Sequence, residues 1–488
     1  MTTKLIHIIL TAIVATMAAS PIQAEHLIVL ATNDTHSQIE PNENDNLGGI
    51  LRRRAFFDHM RANNKNVLIV DAGDAVVGNM YYSIFKGEIE YKLLDSLGYD
   101  ISILGNHDFD NGIDNLAMHY KNTHVTKLSA NYDFTGTAME GVMRPYTIKK
   151  YGNKRVGIFG LNINPSGWIN PHKYDGMRYL PSSHVADSIA RHLKTVEKVD
   201  FTIMVSNLGY FSEAMGKPCD TTIAAQSHYI DMIIGGHTHT MIKPNQGENQ
   251  VKNADGKLVT IGQNGKYGKY IGVYDIDLDN MTVRYDQVAM NSDWDNQSQY
   301  SAMNTWLNKY RVIIKCQELM PVGYLSDYFP SDDDYAAWLL NAQLEIARDV
   351  FAIDNVTISI YTRGGIRRDL PQGFLTWSQL TTAFPFKNKI VIAEVDGKKL
   401  KEVIENINIE QRRYYPCLIN QSPVTQNIKN IDEKKKYRIV TIDYLAYGGD
   451  YMTDISDYII FEDNIDNSKR LIEYFIKNTI ANKIVKTQ

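Results

Sequence analysis

The stretch LGNHDFD, Leu104 to Asp110, is one of five spaced His, Asp and Asn clusters along the chain. The others are Asn33-Asp34-Thr35-His36, Asp71-Ala72-Gly73-Asp74, Ser206-Asn207-Leu208-Gly209 and Gly235-Gly236-His237-Thr238-His239. Imidazole and carboxylate groups suit divalent first-row ions, and two such ions ~3.5–4 Å apart supply both a charged nucleophile and neutralisation of an oxyanion at phosphorus. Such a pair requires about seven ligands, one of them a carboxylate able to bridge, and the five clusters offer a set of that size. The chemistry this predicts is phosphoester hydrolysis without a covalent intermediate, by in-line attack of a metal-bound hydroxide.

Each cluster follows a run of apolar, mostly β-branched residues: LIVLAT, VLIV, ISIL, FTIMV and MIIG. A buried strand ending in ligand-type residues delivers them to the carboxyl edge of a sheet, where open α/β folds place their sites. Asp34 and His36, at i and i+2, are expected in an extended segment that aims both side chains the same way, and His237 and His239 repeat the pattern. From His26 to about Asp286 the strand-like runs alternate with amphipathic stretches such as Leu51 to Met60, predicting a layered α/β domain. KLVTIGQNGKYGKYIGVYDIDLD closes it and reads as an antiparallel hairpin around a Gly-rich turn.

Tyr300, Met303, Leu307, Tyr310 and Ile314 recur at helical spacing, predicting a bridging helix from about Asn296 to Lys315. The expected organisation is a leader over 1–24, a first domain over 25–290, a linker helix within 291–318 and a second domain over 319–488. In the second domain Ser331 is placed to cap a helix whose first turn holds Asp332, Asp333 and Asp334. The runs VTISIYT, KIVIAEV and YRIVTIDY then make that half mixed α and β.

Two domains are expected because 488 residues exceed the ~250–300 at which one core stops growing. With 51 Lys and Arg against 56 Asp and Glu, the net charge of −5 and the absence of long basic blocks exclude a long nucleic-acid partner. Lys4, the apolar run LIHIILTAIVATMAA and Pro21-Ile22-Gln23-Ala24 fit a secretory signal peptide cleaved near Ala24. The apolar run is shorter than the ~20 residues of a spanning helix, so export without a stable membrane anchor, as to a periplasm, is expected. Cys219, Cys316 and Cys417 are too scattered for a zinc ribbon, though one disulfide of unspecified pairing is compatible with export.

The motifs TNDTHS, DAGDAVVG, GNHDFDNG, SANYDF and GGHTHT resemble those of the calcineurin-like metallophosphoesterases, and specifically their 5′-nucleotidase branch. That resemblance implies a four-layer α/β/β/α metallophosphoesterase domain, a bridging helix and a mixed α+β C-terminal domain. It implies two divalent ions (Zn, Mn, Co or Mg), the first held by Asp34, His36, Asp74 and His239. Asp74 would bridge to the second, held by Asn106 and His237, and His107 with Asp110 would form the catalytic dyad. Where the family motif reads S-H-x-G this chain has Asn207, an amide in place of an imidazole. The second position is therefore expected to be weaker or to select a harder ion such as Mn²⁺ or Mg²⁺.

In the second half, Arg363-Gly364-Gly365-Ile366-Arg367, Phe384-Pro385-Phe386-Lys387-Asn388 and Tyr444-Leu445-Ala446-Tyr447-Gly448-Gly449-Asp450 resemble the substrate motifs of the 5′-nucleotidase C-terminal domain. The resemblance implies Phe386 and Tyr444 as faces of a base sandwich, Asp450 on ribose and Arg367 on phosphate. Thr362 and Arg363 stand where that family has Asn and Gly, and the segment CQELMPVGYL lacks its further Arg. Arg363 and Arg368 are candidates to compensate. The substrate expected is a nucleotide or related small phosphoester. The alternatives are a cyclic-nucleotide, UDP-sugar or sulfur-ester hydrolase on the same metal core, or a catalytically silent nucleotide-binding relative.

Overall fold

The computed structural model describes residues 25–212, 217–244, 247–295, 299–325, 329, 332–410, 417–423, 425–474 and 477. The apolar run within 1–24 and the Ser331 cap lie outside the described residues. Two six-stranded sheets form the first domain. One runs in the order Thr282–Ala289, Tyr270–Asp277, His26–Thr32, Val67–Asp71, Ile101–Ser102, Thr126–Lys127. The other runs Gln250–Lys252, Leu258–Gly262, Met232–Ile234, Phe201–Asn207, Lys154–Asn162, Tyr146–Tyr151. The strands that end in ligand clusters pair with one another in parallel, as Leu30 with Ile69, Val70 with Ile101 and Ile233 with Met204. Strands covered on both faces must be apolar throughout, which is why these runs show no polar alternation.

Val29, Val70, Ile158, Ile203 and Ile234 fill the space between the sheets. Helices Ile50–Asn63, Glu88–Leu97 and Ile113–Tyr120 cover the outer face of the first sheet through Phe57, Leu94 and Leu116. Helices Ser182–Thr195 and Asp220–Gln226 cover the second through Ala190, Leu193 and Ile223. The four-layer α/β/β/α order follows.

The hairpin expected across residues 257–279 does not form. Leu258–Gly262 joins the second sheet beside Met232–Ile234, whereas Tyr270–Asp277 joins the first sheet beside His26–Thr32. The intervening segment crosses between the sheets at the ligand-bearing edge. There the Asn264 backbone N–H donates to Asn33 Oδ1 (2.9 Å) and that of Tyr267 to the Asp34 carbonyl (2.8 Å). These bonds tether the Gly-rich turn to the first ligand cluster in place of a strand partner.

The linker helix spans Ser301–Glu318 and packs Leu307 and Ile314 into the first domain's outer core. Its Arg311 grips Glu40 through two hydrogen bonds, 2.7 and 3.0 Å. The second domain holds a mixed five-stranded sheet in the order Cys417–Ile419, Val356–Thr362, Lys436–Ile442, Lys389–Asp396, Ile459–Asp466, flanked by helices Asp332–Asp349 and Gly397–Glu410. Cys219, Cys316 and Cys417 form no disulfide.

Candidate active site

The five clusters converge, but on the shared edge of two sheets. Asp34, His36, Asp74 and Asn106 follow strands of the first sheet, while Asn207 ends a strand of the second and His237 and His239 follow another. The loops are stitched backbone to backbone: the N–H groups of Asp34 and His36 donate to the carbonyls of Gly73 (3.0 Å) and Asp74 (3.1 Å). Contrary to the extended geometry expected, Asp34, His36, His237 and His239 all have positive φ, at 49°, 46°, 76° and 53°. Asp74 joins them at 53°. A left-handed residue other than Gly costs on the order of 1 kcal/mol, so convergence is achieved by tight turns that the stitching holds in place.

Asp34, His36 and His239 each present a ligand atom within 4.8 Å of one another. His36 Nε2 lies 2.9 Å from His239 Nε2, close to the ~3 Å expected between adjacent ligand atoms around one ion with bonds near 2.1 Å. Burial, reinforced by the surrounding cationic groups, holds both imidazoles well below the usual histidine range, so their ring nitrogens keep a lone pair. Burial and the neighbouring Asp74 carboxylate push Asp34 well above the usual carboxylate range. A crowd of buried anions beside neutral imidazoles is what a divalent cation stabilises.

His237 Nδ1 lies 2.9 Å from Asn106 Oδ1, and His237's backbone N–H donates to Asp34 Oδ1 (3.0 Å). Asn207 is fully buried between the loop carrying Asp74 and the loop carrying His237; its Nδ2 donates to the Ala72 carbonyl (2.9 Å) and its Oδ1 has no partner. The residue set therefore fits divalent-ion binding at Asp34, His36 and His239, and an orphaned buried acceptor stands at Asn207.

His107 Nδ1 is 3.1 Å from Asp110 Oδ2, and its Nε2 faces Arg367 Nη2 at 3.4 Å. A guanidinium can only donate, so Nε2 accepts and Nδ1 carries the proton given to Asp110. The Phe386 ring stacks on His107 (5.6 Å between centroids, 22°), and Arg367 lies 5.0 Å over the same ring. Arg367, Phe386, Tyr444 and Asp450 line an open cavity together with Asp74, Asn106, His107, Asp110, His237 and His239. Asp450 Oδ1 accepts from the Tyr444 hydroxyl (2.8 Å), and Thr362 bonds the other carboxylate oxygen. Arg363 is placed elsewhere: it pairs with Asp333 at 2.7 Å and does not line the cavity.

Several contributors escaped the sequence reading. Asp108 lies inside the GNHDFDNG motif, where its Oδ2 accepts from the backbone N–H of Gly105 (2.7 Å) and Asp74 (3.2 Å) and its Oδ1 from the Tyr91 hydroxyl (2.7 Å). It buttresses two ligand loops at once, and burial pushes its carboxyl up to about 7. Only its place two residues after Asn106 hinted at this. Trp168, whose ring lies edge-on to His237 (4.7 Å), and Lys173 line the cavity from the loop 164–173, which carries no periodic signal.

Comparison with known proteins agrees with the two-domain architecture. Residues 27–241 match the family model for calcineurin-like phosphoesterase, and residues 334–457 match that for the 5′-nucleotidase C-terminal domain. The 5′-nucleotidase of Rattus norvegicus is 23% identical over 522 residues, spanning 92% of this chain and 88% of its own. Protein UshA of Yersinia enterocolitica is 23% identical over 480 residues, spanning 87% and 86%. The crystal structure of a 5′-nucleotidase precursor from Thermus thermophilus shares the fold, with a TM-score of 0.76 at 23% identity, over 93% of this chain and 97% of that one.

Proposed function

The chain belongs to the 5′-nucleotidase family of calcineurin-like phosphoesterases and is a phosphoester hydrolase, and from that premise we propose that it is an exported, metal-dependent 5′-nucleotidase releasing phosphate from nucleotides. The observation that carries the reading is one cavity lined both by the metal-ligand edge and by Arg367, Phe386, Tyr444 and Asp450 of the second domain. A phosphate at one end and an aromatic-bounded ring at the other match that lining. Export rests on the segment Met1 to Ala24, and no described helix is long and apolar enough to cross a membrane.

Asp34, His36, Asp74 and His239 would hold one ion, and Asp74, Asn106, Asn207 and His237 the other. Such ions supply neutralisation of phosphoryl charge and acidification of water. The chain's own part is positioning. Arg367 donates toward the phosphate, and the move frees His107 Nε2 to take a proton and face a phosphoryl oxygen as a donor. Asp110 keeps the imidazole oriented through Nδ1 and stabilises its charge. Phe386 sets the ring plane by stacking.

The test is a phosphate-release screen of the purified protein, with each candidate divalent ion, against nucleoside monophosphates, 2′,3′-cyclic nucleotides and UDP-sugars. Nucleoside monophosphates are expected to be the best substrates. Preferred cleavage of another class would reassign the substrate, and no release with any ion would support a silent binding protein.

A further inference from the structure

We propose that the two metal positions are built for different ions, a zinc-class ion at the first and a manganese- or magnesium-class ion at the second, with Asn207 setting the difference. The inference rests on the two-ion reading of the site. At the first position the converging donors are two imidazole nitrogens, from His36 and His239, and an oxygen from Asp34, and Asp74 would add a second oxygen. At the second, His237 Nδ1 stands 2.9 Å from Asn106 Oδ1, and oxygens from Asp74 and Asn207, the latter buried and without a partner, would complete the set.

The orientation of Asn207 is what makes its oxygen available. The Ala72 carbonyl can only accept, so the amide nitrogen must face it, and the oxygen is turned the other way. That oxygen is buried, without a partner, on a side chain that is fully enclosed. A Cβ on Gly236, the residue before His237, would stand 2.8 Å from the same Nδ2, so the amide is also fixed by packing against the second-position loop. An unpartnered buried acceptor is destabilising unless a cation or donor meets it. A neutral amide oxygen is a hard donor, so it favours Mn²⁺ or Mg²⁺ relative to an imidazole, whereas Zn²⁺ loses more by the exchange.

The experiment loads metal-free protein with one equivalent of Zn²⁺, then with excess Mn²⁺, and reads metal content by mass spectrometry and bound Mn²⁺ by electron paramagnetic resonance. Wild type is expected to hold one ion of each. Zn²⁺ is then titrated in to displace Mn²⁺. In Asn207→His the Zn²⁺ needed for half displacement should fall about tenfold or more. Asn207→Ala, which adds no bulk, should weaken Mn²⁺ binding by a similar factor while leaving the Zn²⁺ stoichiometry at one. Circular dichroism of each variant confirms folding. Equal displacement curves for wild type and Asn207→His, or unchanged Mn²⁺ affinity in Asn207→Ala, would overturn the proposal. Because no substrate is present, a protein that binds both ions as expected yet releases no phosphate would sink only the functional reading.

Discussion

Asp74 occupies the tightest spot in the site. Its Oδ1 accepts from the His107 backbone N–H (2.8 Å), and a Cβ added at Gly105 would fall 2.2 Å from that same oxygen. Gly105→Ala should therefore displace the carboxylate and lower bound metal as well as turnover, measured as metal content after gel filtration. Asp74→Asn, which keeps the shape and removes the charge, should leave less than about a tenth of wild-type turnover, a loss of ~1.4 kcal/mol or more. His107→Ala should behave differently, because its ring meets Arg367 and Asp110. A fall in kcat on the order of 10²–10³ with metal content unchanged is expected, and metal loss in this variant would move His107 into the ligand shell. The ligand residues were legible as types at intervals, since imidazole and carboxylate at strand ends have few other uses together. Asp108 was not, because a buttress that bonds only backbone N–H groups and a tyrosine leaves no mark beyond one more carboxylate.

At the scale of elements, the strands before each cluster were legible because a doubly covered parallel strand must be apolar along its length. Their division between two sheets was not, since an apolar run says nothing about which neighbour it pairs with. The segment around Gly265 shows the cost of that silence: its local turn chemistry suits a hairpin, yet tethers to Asn33 and Asp34 send the two strands to different sheets. Helix Glu88–Leu97 carries a second hidden feature, Glu90, which points inward with 5% exposure. Burial, only partly offset by the Ser37 hydroxyl, raises its carboxyl from 4.5 to about 7. Between those values the folded chain keeps a proton that the unfolded chain has lost, so this contribution is fully present below 4.5 and is lost as pH rises through about 7. Glu90→Gln should flatten the decline in urea-unfolding stability of the metal-free protein between about pH 5 and about pH 7.5, by on the order of 1–3 kcal/mol. Asp71, Asp108 and Asp220, raised by burial to about 8, 7 and 7, act with the same sign, so a residual slope should persist. An undiminished slope would show that Glu90 is charged in the folded chain.

On the scale of the whole molecule, the loop 164–173 is one of the places where the two domains meet, and it engages Tyr444 and Asp450, both assigned to substrate, together with their neighbours Asp443 and Tyr447. The Gly167 carbonyl accepts from the Asp450 backbone N–H (2.8 Å) and lies 3.0 Å from the Tyr444 hydroxyl oxygen, while Asn170 Nδ2 donates to Asp443 Oδ2 (3.1 Å). His172 packs edge-on against Tyr447 at 4.8 Å. The seam thus bears on how far Tyr444 and Asp450 stand from the edge that carries Asp74 and His107, and on the span of the substrate proposed for them. Asn170→Asp is the sharpest probe. The aspartate keeps the acceptor that caps the His172 N–H, but it sets a second carboxylate against Asp443, which burial already pushes above the usual range. Two like charges there repel, and a buried hydrogen bond is lost, together about 1–3 kcal/mol. The expected result is a KM for nucleoside monophosphate raised about tenfold with a smaller change in kcat, since the metal edge and dyad are untouched. Small-angle scattering should show a larger radius of gyration at neutral pH that shrinks again on acidification as one carboxyl takes up a proton. Wild-type KM and an unchanged scattering profile would mean that the seam does not hold the substrate residues in place, and that their position is set within the second domain alone.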